Sequence, residues 1–233
     1  MGKPASPPPF DPNAATLCTV FDRLLATYGP QHWWPAETPF EVMVGAVLTQ
    51  NTAWSNVERA IANLRAAEAL EPNRLLALGP ERLAELIRPA GYFNVKAQRL
   101  RHFCDFLRAA GGEAALAKLP TAELRHRLLA VHGVGPETAD DMLLYAFARP
   151  VFVIDAYTRR LFQRLGLASG DEGYETLRHG CEQALGEDAP LFNEYHALIV
   201  RHAKQACVRR PRCAACGLAA LCPTARNGAA DSQ

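Results

Sequence analysis

Residues 128–160, LLAVHGVGPETADDMLLYAFARPVFVIDAYTRR, constrain the fold of this 233-residue chain more tightly than any other stretch. Leu124, Leu128 and Leu129 recur at helical spacing behind a Pro120-Thr121 start signal, and Val131 closes the turn. The period breaks at Gly133-Val134-Gly135, where glycine permits positive φ or a close backbone approach. Pro136 suits the first turn of a new helix, since its missing N–H is not needed there. The opening N–H groups of that helix have no partner within it, so an anion placed there gains hydrogen bonds and a favourable dipole. Helix, Gly-Val-Gly, helix therefore reads either as a phosphate clamp or as a plain αα corner.

The remaining helical patterns give an all-α chain. Leu17, Val20, Phe21, Leu24 and Leu25 mark a helix stopped by Gly29-Pro30, behind a Pro-rich tail of residues 1–13 that reads as flexible. Thr38-Pro39-Phe40-Glu41 has the composition of a capping box, and residues 42–48 are apolar nearly all round, which predicts a buried central helix. That helix runs into the polar LTQNT, then a helix with Trp54, Val57, Ile61 and Leu64 on one face. Short helices follow around residues 73–78 and 81–88. After the turn at residues 89–94 a longer helix turns Ala97, Leu100, Phe103 and Leu107 inward, leaving Lys96, Arg99, Arg101 and Arg108 outward. Further helices are expected up to Leu165, over 174–185 and over 191–206; strand character is limited to residues 151–154, too little for a sheet.

Formal net charge is +1, so bulk charge argues for no nucleic-acid role and only local patches can. One such patch exists: from Tyr195 to Ala230 there are six basic residues and no acidic one. No apolar run is long enough to span a bilayer and the start has no signal-peptide core, which places the chain in the cytoplasm, away from membranes. Within the basic stretch Cys207, Cys213, Cys216 and Cys222 form C-x5-C-x2-C-x5-C, a metal set for a reducing compartment. Four thiolates suit tetrahedral zinc or a cubane iron–sulfur cluster, and a single C-x2-C with wide arms favours the larger group. Cys18, Cys104 and Cys181 read as small core residues.

The hairpin followed by VFVIDAYTRR resembles the helix-hairpin-helix plus Gly/Pro…Asp signature of the endonuclease III superfamily of DNA glycosylases. The resemblance covers roughly Thr38 to Cys222. It implies a two-domain all-α fold: a six-helix barrel over 38–148 carrying the hairpin, and a second domain from 14–37 and 149–226 with a [4Fe-4S] loop, DNA lying across the cleft between them. The cysteines match that family's cluster loop, with one residue fewer in the first arm than is usual. The resemblance also implies a double-stranded DNA partner containing a damaged base, bound by a monomer.

Site residues follow. Asp155 matches the family's catalytic aspartate: a carboxylate close to the sugar stabilises an oxocarbenium-like transition state and helps a water attack. The local alternative is an N-cap for the helix AYTRRLFQRL, and one residue can do both. Where bifunctional relatives carry a lysine this chain has Glu137, which forms no Schiff base; its other reading is a helix-dipole acid with Asp140 and Asp141. In LTQNT, Gln50 either enters the space left by an extruded base, as the resemblance implies, or caps and turns the chain. Gly133, Val134 and Gly135 with Arg209, Arg210 and Arg212 are the expected phosphate contacts. Trp33, Trp34, Tyr92 and Phe93 form a candidate base pocket, or else pack where helical layers meet. GPETAD, LTQNTAW and the tryptophan pair look closest to the 3-methyladenine glycosylase branch. That implies base excision of alkylated bases with weak or no AP-lyase activity. The alternatives are a bifunctional enzyme for oxidised pyrimidines and a DNA-binding module with little catalysis.

Overall fold

The computed structural model describes residues 10–230. Among them it forms thirteen α-helices and no strand. They are α1 Ala14–Tyr28, α2 Pro39–Leu48, α3 Trp54–Ala66, α4 Pro72–Ala77, α5 Pro80–Leu86, α6 Phe93–Ala109, α7 Glu113–Leu116, α8 Thr121–Leu129, α9 Pro136–Asp141, α10 Ala156–Leu165, α11 Tyr174–Leu185, α12 Ala189–Gln205 and α13 Pro223–Ala230. The all-α class expected from the sequence is the one observed. No helix among the described residues is long and apolar enough to cross a membrane. The chain divides into two compact units, the first change falling between Trp33 and Trp34 and the second between Arg149 and Pro150.

In the unit of residues 34–149, α2 is the hub. Thr38 caps it by accepting from Glu41 N at 3.2 Å, Pro39 opens it, and every residue from Phe40 to Leu48 is buried. Each buried Val, Leu, Met or Phe contributes about 1.5–3 kcal/mol relative to exposure, so an all-round apolar helix stays only at the centre of a bundle. α3, α6 and α9 surround it, together with a π-helical turn over Met142–Ala146 that continues α9. The expected capping box is only half formed: Glu41 turns to Arg65 at 2.7 Å, because that ion pair neutralises a carboxylate buried on this helix. Trp34 belongs to this unit because its indole lies against α2, where a Cβ on Gly45 would come within 3.0 Å of Cζ2.

Lys96 corrects the sequence reading. It is 1% exposed, and Nζ donates to the Leu48 and Ala90 carbonyls, each at 2.8 Å. The ammonium sits where α2 ends with carbonyls that the helix itself cannot satisfy, which is the physical use of burying it. Burial lowers its pKa to about 8, with Arg99 adding repulsion.

The other unit consists of residues up to Trp33 and from Pro150. α12 lies against α1 and α10, and α11 against α1. Residues 151–154 are buried and belong to no helix or strand. Phe152 meets Phe192 and Tyr195 edge-on at 5.3 and 5.6 Å, and Tyr195 donates to the Leu17 carbonyl at 2.9 Å. Two expectations change here. Residues 1–9 of the tail lie outside the described residues, but Phe10 is buried with its ring stacked on Phe162 at 6.2 Å, and Asn13 caps α1. Cys104 and Cys181 are core residues, whereas Cys18 is exposed: α1 turns Leu17, Val20 and Leu24 inward, and position 18 falls a hundred degrees off that face.

Candidate active site and nucleic-acid interface

The hairpin is built from α8, a turn and α9 within residues 34–149. Gly133 has φ +89°, and a Cβ there would collide with Cγ of Arg99, so two separate constraints require glycine. Gly135 is extended at φ −95°, and a Cβ there would meet nothing within 4 Å. Val134 is buried and donates its N–H to the Val131 carbonyl at 3.0 Å.

Gln50 reaches this hairpin from the α2–α3 turn. Its Nε2 donates to the Gly133 carbonyl at 3.0 Å and to Thr138 Oγ1 at 2.9 Å, while Oε1 accepts from Arg99 Nη1. Arg99 thus both underlies the glycine and holds the glutamine. Across the hairpin, Arg125 of α8 grips the fully buried Asp140 of α9 in a fork of 2.7 and 3.0 Å. Asp140 is a cross-helix anchor, which replaces its reading as a dipole acid; Glu137 is exposed in the first turn of α9.

The four aromatics expected to gather occupy different surroundings. Trp34 meets Trp54 edge-on at 5.0 Å and Tyr145 at 5.1 Å. Trp33 is half-buried in the other unit. Tyr92 is 73% exposed with φ +45°, and Phe93 lies under the Arg88 guanidinium at 4.8 Å.

In the other unit Asp155 is the N-cap of α10, with Oδ1 accepting from Thr158 N at 2.7 Å. Its Oδ2 lies 3.6 Å from Nε2 of His196, the two side chains being 13% and 7% exposed. Burial pushes the carboxyl pKa up, but the nearby imidazole of His196 and the bonds of Thr158 outweigh it, so the net direction is down. Asp155 is therefore a shielded carboxylate that stays ionised at neutral pH.

α10 also carries, toward its far end, the residues that hold the cysteine loop. Arg160 donates to the Cys207 and Ala203 carbonyls, and Arg164 to Cys207 Sγ at 3.1 Å and to the Val208 and Arg209 carbonyls at 2.7 and 2.9 Å. All four loop cysteines line one pocket that His202 and Arg164 share. Burial raises the Cys216 thiol pKa and the three neighbouring sulfurs add to it; burial lowers His202 to about 4. Among the described residues, no three His, Cys, Asp or Glu side chains are placed to hold a single metal ion. Arg209, Arg210 and Arg212 are exposed on the loop.

Residues 44–187 match the model of the HhH-GPD superfamily base excision DNA repair proteins. The chain belongs to this superfamily. A protein of Methanocaldococcus jannaschii, provisionally named a DNA repair glycosylase, is 46% identical over 206 residues, 87% of this chain and 94% of its own. The Helicobacter pylori 3-methyladenine DNA glycosylase bound to 1,N6-ethenoadenine superposes with a TM-score of 0.72 at 28% identity, covering 83% of this chain and 98% of its own. An endonuclease III–DNA complex superposes at 0.81 and 21% identity over 94% of this chain and 99% of that one, a likeness of fold alone.

Sequence reasoning missed Arg99 and Arg125 in the unit of residues 34–149, and His196 in the other unit. Arg99 was read on the outward side of its helix, and its partners at the hairpin were not legible. The other two become visible only when distant helices meet.

Proposed function

We propose that the protein is a monofunctional DNA glycosylase that acts as a monomer on double-stranded DNA and releases alkylated purines in preference to oxidised pyrimidines. The observation that carries the reading is Asp155: a low-pKa carboxylate, fixed at a helix start, in a member of a base excision repair superfamily.

Base release breaks the bond between C1′ and the base nitrogen. The base leaves with the electron pair, positive charge builds on the sugar, and a water oxygen adds at C1′. An ionised Asp155 stabilises that charge and takes up the proton of the attacking water. Strand cleavage needs an amine instead. Glu137 is not one, and the Lys96 amine is buried with two carbonyls as hydrogen-bond acceptors, so neither supports a Schiff base. The hairpin turn and Arg209, Arg210 and Arg212 supply phosphate contacts that position the duplex without reading its sequence. Preference for alkylated purines is supported by similarity to the H. pylori glycosylase and by exposed Tyr92, because a cationic base stacks well on an aromatic face and its glycosidic bond is already weak.

Cys207, Cys213, Cys216 and Cys222 would hold a [4Fe-4S] cluster. All four line one pocket, and a single C-x2-C with wide arms suits the larger group better than a zinc ion. Bound there, such a group supplies a rigid crosslink within the basic loop, and Arg160 and Arg164 tie that loop to the helix that Asp155 caps.

Incubation with single-lesion duplexes, with and without alkali afterwards, tests the reading. It predicts alkali-dependent breaks at alkylated purines. Breaks without alkali, at oxidised pyrimidines and not at alkylated purines, would overturn it.

A further inference from the structure

The Asp155 carboxylate has two oxygens, and helix capping uses one. Oδ1 takes the Thr158 amide at 2.7 Å; Oδ2 faces His196 at 3.6 Å, beyond a direct hydrogen bond and within reach of an ion pair. His196 lies on the buried face of α12 among Phe192, Tyr195, Leu198 and Ile199, and is itself 6% exposed. An imidazole placed inside an apolar face is costly unless a partner compensates it, and an N-cap alone needs no imidazole.

We propose that His196 is the positioning residue for Asp155, fixing the carboxylate oxygen that the helix cap leaves over. The proposal rests on the reading of Asp155 as the catalytic group. By facing Oδ2 from α12, His196 restricts the carboxylate to one rotamer and opposes its protonation in a shielded setting where burial alone would favour the neutral acid.

Several polar groups on the helices around this pair have partners of their own. On α10, Arg159 donates to the Glu172 carbonyl, Arg160 to Cys207 and Ala203, and the Arg160 guanidinium lies over the Tyr157 ring at 5.1 Å. On α12, Glu194 accepts from Gln31 N at 2.6 Å, Tyr195 donates to Leu17, and His202 meets the Tyr28 hydroxyl of α1 at 2.9 Å. The Tyr174 hydroxyl of α11 accepts from Ile154 N at 3.5 Å. The His196 imidazole facing Oδ2 and the bonds of Thr158 draw the Asp155 carboxyl down.

The test uses the full chain as His196→Ala and His196→Gln. Three quantities are read: single-turnover base release against pH, affinity for undamaged duplex with thermal unfolding, and the pH titration of the Asp155 carboxyl carbon by NMR, assigned with Asp155→Asn. His196→Ala is expected to slow base release on the order of tenfold or more, less than loss of an acid–base group itself, and to move the acid limb of the profile to higher pH. Duplex affinity is expected to stay at the parent level and unfolding to stay cooperative, with a lower midpoint because the shielded Asp155 carboxylate loses a partner. His196→Gln, which keeps a polar but uncharged group facing Oδ2, is expected to recover part of the rate but not the position of the acid limb. In both variants the Asp155 carbon titrates at higher pH. An unmoved acid limb together with an unmoved carboxyl titration overturns the proposal. Should His196→Ala fail to fold, the same readouts on His196→Gln decide it. A parent that releases no base from any lesion duplex contradicts the catalytic reading, whereas the NMR titration judges the pairing of His196 with Asp155 independently.

Discussion

Gln50 donates its side-chain amide to the carbonyl of Gly133 at 3.0 Å, which makes the α2–α3 turn and the hairpin one hydrogen-bonded unit. Arg99 closes that unit from beneath, since it donates to Gln50 and fills the space a Gly133 side chain would need. The two hairpin glycines are therefore not equivalent. Gly133→Ala is expected to cost about 1–3 kcal/mol of stability through strained backbone and displacement of Arg99, and to weaken duplex binding as well. Gly135→Ala is expected to leave thermal unfolding unchanged, because nothing within the unit opposes its methyl group, while lowering affinity for any duplex at moderate salt. Equal loss of stability in the two variants would contradict the assignment.

Arg125→Ala leaves Asp140 as a buried carboxylate without its forked partner. Removing one member of such a pair costs about 3–5 kcal/mol, and the two hairpin helices lose their crosslink. Urea unfolding is expected to show a loss of that size, with Arg125→Lys recovering only part because an ammonium cannot form both bonds. A loss below about 1 kcal/mol, the size typical of exposed ion pairs, would count against the role.

Lys96→Met removes the donor to two buried carbonyls, each costing about 1–3 kcal/mol when left unmet. The lysine also gives a pH signature. Its folded pKa, about 8, lies below the unfolded value of 10.5, so the folded state binds this proton less tightly. Stability linked to Lys96 is therefore at its lowest below pH 8 and rises as pH increases from about 8 to 10.5. Unfolding measured across that window is expected to show the parent gaining on Lys96→Met; a parent that loses ground would mean the amine is not buried as described.

The protein is expected to purify brown with broad visible absorption, and Cys213→Ala or Cys216→Ala to give colourless, less soluble protein. Metal analysis checks this: stoichiometric zinc without iron in anaerobically purified protein would refute the cluster.

Much of this was legible in the chain. The apolar run of α2, its Thr38 cap and Pro39 start, and the Gly-Val-Gly turn before Pro136 are local signals, and local signals give helix boundaries well. Lys96 was misread because its charge was weighed above its position, although 96, 100, 103 and 107 fall on one helical face. The cap role of Asp155 was legible from the helix that follows it. Its second partner was not, since His196 arrives on α12 and only packing brings the two together. Arg125 with Asp140, and Trp34 with Trp54 and Tyr145, were hidden for the same reason. Periodicity says which face points inward but not which inward residues meet.

The most direct test of the account is single-turnover base release from a duplex bearing one alkylated purine, compared between the parent and Asp155→Asn, with lesion-duplex affinity measured alongside. The account predicts alkali-dependent strand breaks with the parent, a loss of about a hundredfold or more in base release for Asp155→Asn, and lesion binding that is retained. Base release by Asp155→Asn at the parent rate would contradict it.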